Sequence, residues 1–189
     1  MNKYKIIALF GEAGAGKDYI QKKIMKTQFG KDNLHEVISC TTRPPREGEI
    51  DGVHYHFMSN QSKFFSISLI ECSCFRGWWY GTSTDYLSKE KINIGVFNIN
   101  GIEQLLSNPK IECVPVYIKA TSKTRLLRQL NREANPDCDE IIRRYLTDEK
   151  DFLDLHRKKF SYFVIENNTN EFFPIQESLF DLIENYKWS

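Results

Sequence analysis

The stretch Gly11-Glu12-Ala13-Gly14-Ala15-Gly16-Lys17 constrains this chain more than any other. It follows a strand pattern over residues 5–10 and precedes a helical pattern over residues 19–28. A G-x-x-x-x-G-K spacing between a strand and a helix is that of a phosphate-binding loop. Glycines let the backbone curl until successive N–H groups face one anion. The N–H groups from Gly11 to Asp18, those of Ala13 and Ala15 included, are therefore candidate phosphate donors. The start of the helix adds partial positive charge, and Lys17 adds a full one suited to β- and γ-phosphates. The plainer reading is a glycine-rich turn with an exposed lysine; the strand before it and the helix after it speak for phosphate.

The rest of the chain fits such a loop. Strand patterns at 5–10, 35–39, 69–75, 94–98, 114–119 and 162–166 alternate with helical ones at 19–28, 84–91, 102–106, 123–132, 141–156 and 175–186. This alternation predicts an α/β fold with a mainly parallel central sheet flanked by helices. Ligands in such folds gather beyond the carboxyl ends of the strands. A chain of 189 residues can bury a substantial core as one domain. The net charge of +1 gives no global field for nucleic acid or an anionic membrane, so an anion site must be local. The apolar run at 6–10 is too short for a signal peptide or a membrane span. Five cysteines (Cys40, Cys72, Cys74, Cys113 and Cys138), an odd count with no signal, predict reduced thiols in a cytoplasmic protein. Cys72 and Cys74 share a strand face; with no second pair at zinc-finger spacing, they read as packing and not as metal ligands.

Two further features carry chemistry. The residue after the loop lysine is usually Ser or Thr, whose hydroxyl ligates magnesium, but here it is Asp18. A carboxylate is also a hard ligand for magnesium, directly or through water. Alternatively Asp18 serves the first helical turn and its dipole. The second feature is Cys40-Thr-Thr-Arg43-Pro-Pro-Arg46-Glu-Gly-Glu49. Prolines 44 and 45 exclude a helix interior or a central strand. Arg43 and Arg46 on this stiffened loop form a fork for a phosphate dianion. Glu49 can hold an arginine in place, and Tyr55 can add an O–H donor.

Those residues, from Ser39 to Phe57, stand in register with Ile70-Glu71, Phe75 and Tyr80-Gly81-Thr82. In this the chain resembles the guanylate kinase family, P-loop enzymes that transfer phosphate from ATP to GMP. The resemblance implies a P-loop kinase fold with a five-stranded sheet in a single domain over 1–189. A GMP-binding lobe would span about 39–83 and a helical lid about 123–150, with the core at 1–38, 84–122 and 151–189. It implies that Ser39, Arg43, Arg46, Glu49, Tyr55 and Tyr80 hold the GMP phosphate, while Glu71 and Thr82 read the base. By themselves, Glu71 and Tyr80 would pass for a solvated charge and a packed aromatic. Arg128 and Arg132, with Arg143 or Arg144 as a third, resemble arginines that face the transferring phosphate beside Lys17. Val164-Ile-Glu-Asn167-Asn168 resembles the family's last strand, whose end borders adenine, which brings Asn167 to ATP.

Where the family carries Asp-x-Asp, this chain has Asn98-Ile-Asn100, and Gly101 falls earlier than the family's glycine. Amides can bond a ribose or a base but add no charge. With Asp18 gained, the negative charge is expected to have moved. Trp78 and Trp79 face opposite sides of a strand, so one is expected to pack inward and the other to border the nucleotide, with core or surface packing and not base stacking the expected role of either. The expected ligands are ATP, Mg2+ and GMP or dGMP; neither nucleic acid nor membrane is expected, and the chain is expected to be a monomer or homodimer. Two other functions fit less well. One is a related kinase for another deoxynucleoside monophosphate or a ribose bisphosphate, and the complete set of base-reading residues speaks against the sugar-phosphate substrate. A non-catalytic guanylate-kinase-like binding domain would typically lose the phosphate loop, whereas Gly11, Gly16 and Lys17 are intact.

Overall fold

A strand that is apolar on both faces must lie in the middle of a sheet covered on both sides. In a computed structural model describing residues 3–132, 134–169 and 171–188, the run at 6–10 takes that place. Every side chain from Ile6 to Phe10 is fully buried. It belongs to β1 (Tyr4–Phe10), which is followed by α1 (Lys17–Lys26), α2 (Gln28–Asn33) and β2 (Leu34–Glu36). Next come β3 (Cys40–Thr41), β4 (His56–Phe57), α3 (Gln61–Ser66), β5 (Leu69–Phe75) and β6 (Trp78–Ser83). The chain then runs through β7 (Ile92–Val96), α4 (Ile99–Ser107), β8 (Ile111–Lys119), α5 (Ser122–Leu130), α6 (Cys138–Leu153), β9 (Phe163–Glu166) and α7 (Phe173–Asn185).

The central sheet has five strands in the order β2-β7-β1-β8-β9, all paired in parallel, with Ile7 beside Ile94 on one side and Val114 on the other. Alternate residues of β1 serve two cores, as the pleat requires. Ile7 and Leu9 pack with Ile20 and Ile24 of α1 and Ile175, Leu179 and Ile183 of α7. Ile6, Ala8 and Phe10 pack with Ile102 and Leu105 of α4 and with Phe152 of α6. The helices on both faces thus bring the loop after β1 and the start of α4 to the carboxyl edge.

Residues 40–83 form a second sheet, ordered β4-β3-β6-β5. β5 and β6 are joined by Arg76-Gly77, both at positive φ (53° and 81°), as a tight hairpin demands. Cys40, Met58 and Phe64 make a small core under Trp79, while Trp78 is exposed.

Several elements differ from the sequence reading. The helix expected at 84–91 is only a 3-10 turn, Thr84–Tyr86. Side chains satisfy the backbone there instead: Asp85 N–H donates to Ser83 Oγ, and Ser88 N–H donates to Oδ1 of the buried Asn93. The strand expected at 94–98 ends at Val96, because Asn98 caps α4 by accepting from Gly101 N–H at 2.7 Å. The strand expected at 35–39 is the short β2, which ends at Glu36, and residues 37–39 lie in no strand before β3 begins at Cys40. All five cysteines are free thiols. Among the described residues no group of three His, Cys, Asp or Glu side chains is placed to hold a metal, and no helix is long and apolar enough to cross a membrane.

Candidate active site

The loop between β1 and α1 curls tightly, with Ala15 N–H donating to Glu12 O at 3.2 Å inside the turn, so that amide is not a free phosphate donor here. Gly14 and Gly16 have φ of 80° and 94°, and a Cβ on either would lie 2.5 Å from Arg125 O or Asn167 Nδ2. Only glycine meets both demands. The back of the loop is pinned: Asn167 Nδ2 donates to Ala15 O at 2.7 Å, and Arg128 donates to Asn167 O at 3.0 Å and Thr169 O at 2.8 Å. Lys17 Nζ donates to Gly11 O and Glu12 O at 2.7 and 3.0 Å. Burial pulls its pKa down, and the charges of Asp18, Asp148 and Glu12 oppose that.

Five side chains to which the sequence reading gave no role sit at this loop. Ala13 N–H donates to Asp148 Oδ2 of α6 at 2.6 Å. Glu12, though a loop residue, is buried, and both its carboxylate oxygens accept from Tyr117 O–H at 3.0 Å. Arg125 is 2% exposed, lies 3.8 Å from Glu12 Oε1, and donates to Glu149 Oε1 at 2.6 Å. Its spacing of three from Arg128 was the one available sign.

Across the cleft, the proline loop holds its two arginines differently. Arg43 is 8% exposed, donates to Glu49 Oε1 at 2.8 Å, and lies over the rings of Tyr55 and Phe57. Arg46 is exposed, and its backbone N–H donates to Glu49 Oε2 at 2.7 Å. These two hydrogen bonds, that of Arg43 first, draw the Glu49 carboxyl down to about 2. Tyr80 packs edge-on against Tyr55. Ser39, Glu49, Tyr55, Asp18 and Arg132 border one cavity of about 510 Å3, so the start of α1 and the arginine loop face each other.

Glu71 and Thr82 lie side by side on β5 and β6. Thr82 Oγ1 donates to Glu71 Oε1 at 2.8 Å, so its proton is committed to the carboxylate and not free for a base. Burial lifts Glu71 to about 6 in spite of that bond. Its Oε2 lies against α4: a Cβ at Gly101 would come within 3.0 Å of it. Gln104 of the same helix fixes β5 there, bonding both N–H and C=O of Cys72. Asn98 is occupied in capping α4, with a long contact from Nδ2 to Ser73 Oγ at 3.4 Å. Asn100 is exposed. Both border a cavity of about 650 Å3 with Lys17, Ala13, Asp148 and Asp151.

The arginines of α5 and α6 divide into two groups. Arg128 and Arg132 gather at the phosphate loop, and both border a cavity of about 500 Å3 with Gly16, Tyr19 and Asn167. Arg128 makes its bonds to carbonyls behind the loop, and its guanidinium is not directed across the cleft. Arg144 stays on its own helix, donating to Glu140 at 2.8 Å, as Arg143 does at 2.7 Å. Arg76 at the β5–β6 turn reaches the same Glu140 at 3.3 Å.

The family model described as guanylate kinase matches residues 3–185. A guanylate kinase of Mesoplasma florum is 30% identical over 178 residues, covering 90% of this chain and 58% of that protein. This chain therefore spans less than two thirds of the length of that relative. One from Helicobacter pylori is 30% identical over 178 residues, covering 88% of this chain and 82% of its own. The crystal structure of guanylate kinase from Anaplasma phagocytophilum superposes with a TM-score of 0.63 at 15% identity, over 97% of this chain and 86% of that one, a likeness of fold. The phosphate loop, the arginine loop facing it and this match along nearly the whole sequence make the chain a member of the guanylate kinase family.

Proposed function

We propose that this protein is a guanylate kinase that transfers the γ-phosphate of ATP to GMP or dGMP, releasing ADP and GDP or dGDP. The observation that carries this reading is the pairing, in one small lobe, of a phosphate fork with a buried carboxylate. Arg43 is held by Glu49 at 2.8 Å, and Glu71 is held by Thr82 at 2.8 Å. The first suits a monophosphate dianion. The second suits guanine, whose N1–H and 2-amino group are two adjacent donors for one carboxylate. Adenine would set its N1 lone pair against that charge.

In this reading Ser39, Arg43, Arg46, Tyr55 and Tyr80 hold the acceptor phosphate on the lobe 39–83. Gly11 to Lys17 hold the donor phosphates, and Asn167 borders the adenine. An acceptor phosphate oxygen attacks the γ-phosphorus in line while the bond to the β–γ bridging oxygen breaks. Such a transfer needs positioning and neutralisation of charge more than covalent help. Lys17 supplies one positive charge, and Arg128, Arg132 and Arg144 on the lid 123–150 supply the others. Arg128 must turn from the carbonyls of Asn167 and Thr169, and Arg144 from Glu140, for either to reach the phosphate. Asn98 and Asn100 line the acceptor side of the cleft as neutral donors.

Magnesium fits this donor set only as an ion carried mostly by ATP. Asp18 is exposed at the start of α1 and borders the cleft, and the described residues offer no three-carboxylate cluster. One carboxylate with phosphate oxygens and water is an ordinary environment for magnesium. When bound, the ion would neutralise charge on the β- and γ-phosphates. The reading is tested by titration calorimetry with GMP, guanosine and ATP. GMP should bind far more tightly than guanosine, and ATP should bind as well. A chain that binds GMP but no ATP would be a binding domain, and equal affinity for GMP and guanosine would remove the phosphate fork.

A further inference from the structure

We propose that Asp148 competes with the donor polyphosphate for the phosphate loop, and so sets how tightly the loop holds ATP and ADP. The inference rests on reading residues 11–17 as the donor site. It starts from a contact with a partner 135 positions away: Ala13 N–H, midway along the loop, donates to Asp148 Oδ2 at 2.6 Å. A loop of inward-facing N–H groups binds a negatively charged oxygen, whether that oxygen sits on phosphorus or on carbon. A bond this short to an ionised acceptor is among the stronger kinds of hydrogen bond.

Three neighbouring contacts show that the carboxylate is built into the loop. Asp148 borders the same cavity as Lys17, and its charge acts on the lysine. The next residue, Glu149, accepts from Arg125 at 2.6 Å, and Arg125 lies 3.8 Å from Glu12 of the loop. Two successive carboxylates of α6 therefore fasten that helix to the loop, one on a backbone N–H and one on a buried arginine.

A phosphate oxygen and Asp148 cannot both take Ala13 N–H. They also repel as like charges at close range. A nucleotide that fills the loop must displace the Asp148 carboxylate from Ala13 N–H. After transfer, the same carboxylate stands ready to replace the departing ADP. Donor affinity is thus lower, and product release faster, than the loop alone would give.

The test is titration of ADP, without magnesium or GMP, into the wild-type protein, Asp148→Ala and Asp148→Asn. Losing a charged competitor should tighten ADP about tenfold in Asp148→Ala. Asp148→Asn keeps a neutral acceptor of the same shape and should fall between. Tripolyphosphate should gain in the same way, and adenosine, which brings no phosphate, should not. Unchanged or weaker ADP binding in a folded Asp148→Ala would overturn the proposal and make Asp148 a donor-side ligand or a mere strut. The Ala13 amide resonance gives a second reading that does not depend on affinity. It should move upfield in Asp148→Asn, and the same position in both proteins would also overturn the proposal. If wild type binds ADP and only the gain is missing, Asp148 alone is misassigned. If neither protein binds ADP or tripolyphosphate, the donor site falls along with it.

Discussion

Glu71→Gln is expected to stabilise this protein and disable it at the same time. Glu71 is 8% exposed, and burial holds its carboxyl at about 6 against an ordinary value of 4.5, with the Thr82 bond pulling the other way. An acid whose folded pKa is raised binds its proton more tightly in the folded chain than in the unfolded one. Stability therefore falls as pH rises from 4.5 to about 6, and above that window the loss is complete. It amounts to about 2 kcal/mol. Glutamine never ionises, so near neutral pH the variant should gain about 1–2 kcal/mol. For a chain of this length that is a rise in melting temperature of about 2–8 °C. The gain should vanish once the pH is below 4.5, where Glu71 is protonated in both states. The same change leaves guanine one neutral acceptor in place of a carboxylate, so kcat/KM for GMP should drop about 10²-fold, with the gap to IMP narrowed. Thermal melts across pH and a coupled ADP-release assay measure the two effects. A melting temperature that is unchanged or lower near neutral pH would refute the burial reasoning, and full GMP turnover in the variant would refute the role.

Lys17→Ala should abolish turnover, at a cost of about 3–4 kcal/mol or more in transition-state stabilisation, and leave GMP binding mostly intact; near-normal turnover would refute the phosphate loop. Arg43→Ala and Arg46→Ala should each weaken GMP by about 1.5–3 kcal/mol and guanosine much less. Only Arg43→Ala should also lower the melting temperature, because Arg43 is the buried partner of Glu49 and Arg46 is exposed. Asp18→Ala should raise the magnesium concentration needed for half-maximal rate, and Asp18→Ser should restore part of it. If both variants keep the wild-type magnesium titration, Asp18 serves only the first turn of α1.

What was legible in the sequence is what depends on neighbours along the chain. The phosphate loop declares itself by three glycines and a lysine between strand and helix, and the Arg43–Glu49 pair spans six residues. Both cores of the sheet follow from a run at 6–10 with no polar residue. The contacts that escaped are long-range or made by side chains standing in for backbone. Nothing local in Asp148 points to Ala13, 135 positions away, and Glu149 and Arg125 look like surface charges on two amphipathic helices. Asn93 lies just before the strand expected at 94–98 and has no role in that reading, yet its buried amide bonds both N–H and C=O of Ser88 in the segment after β6. Asn98 reads as a ligand for ribose or base, and the structure employs its carbonyl oxygen as a helix cap. Asp148 and Asp151 border the same cavity as Asn98 and Asn100, two carboxylates there that the sequence did not reveal.

The most direct measurement of the central claim is ADP release with ATP and magnesium across GMP, dGMP, IMP, AMP, CMP and UMP. A site built on a buried carboxylate facing two guanine donors should turn over GMP or dGMP, reject AMP by factors of about 10⁴–10⁵, and place IMP between them. Turnover of AMP or CMP as fast as GMP would contradict the assignment of Glu71 and the substrate with it, and tight GMP binding without any ADP release would contradict the kinase itself.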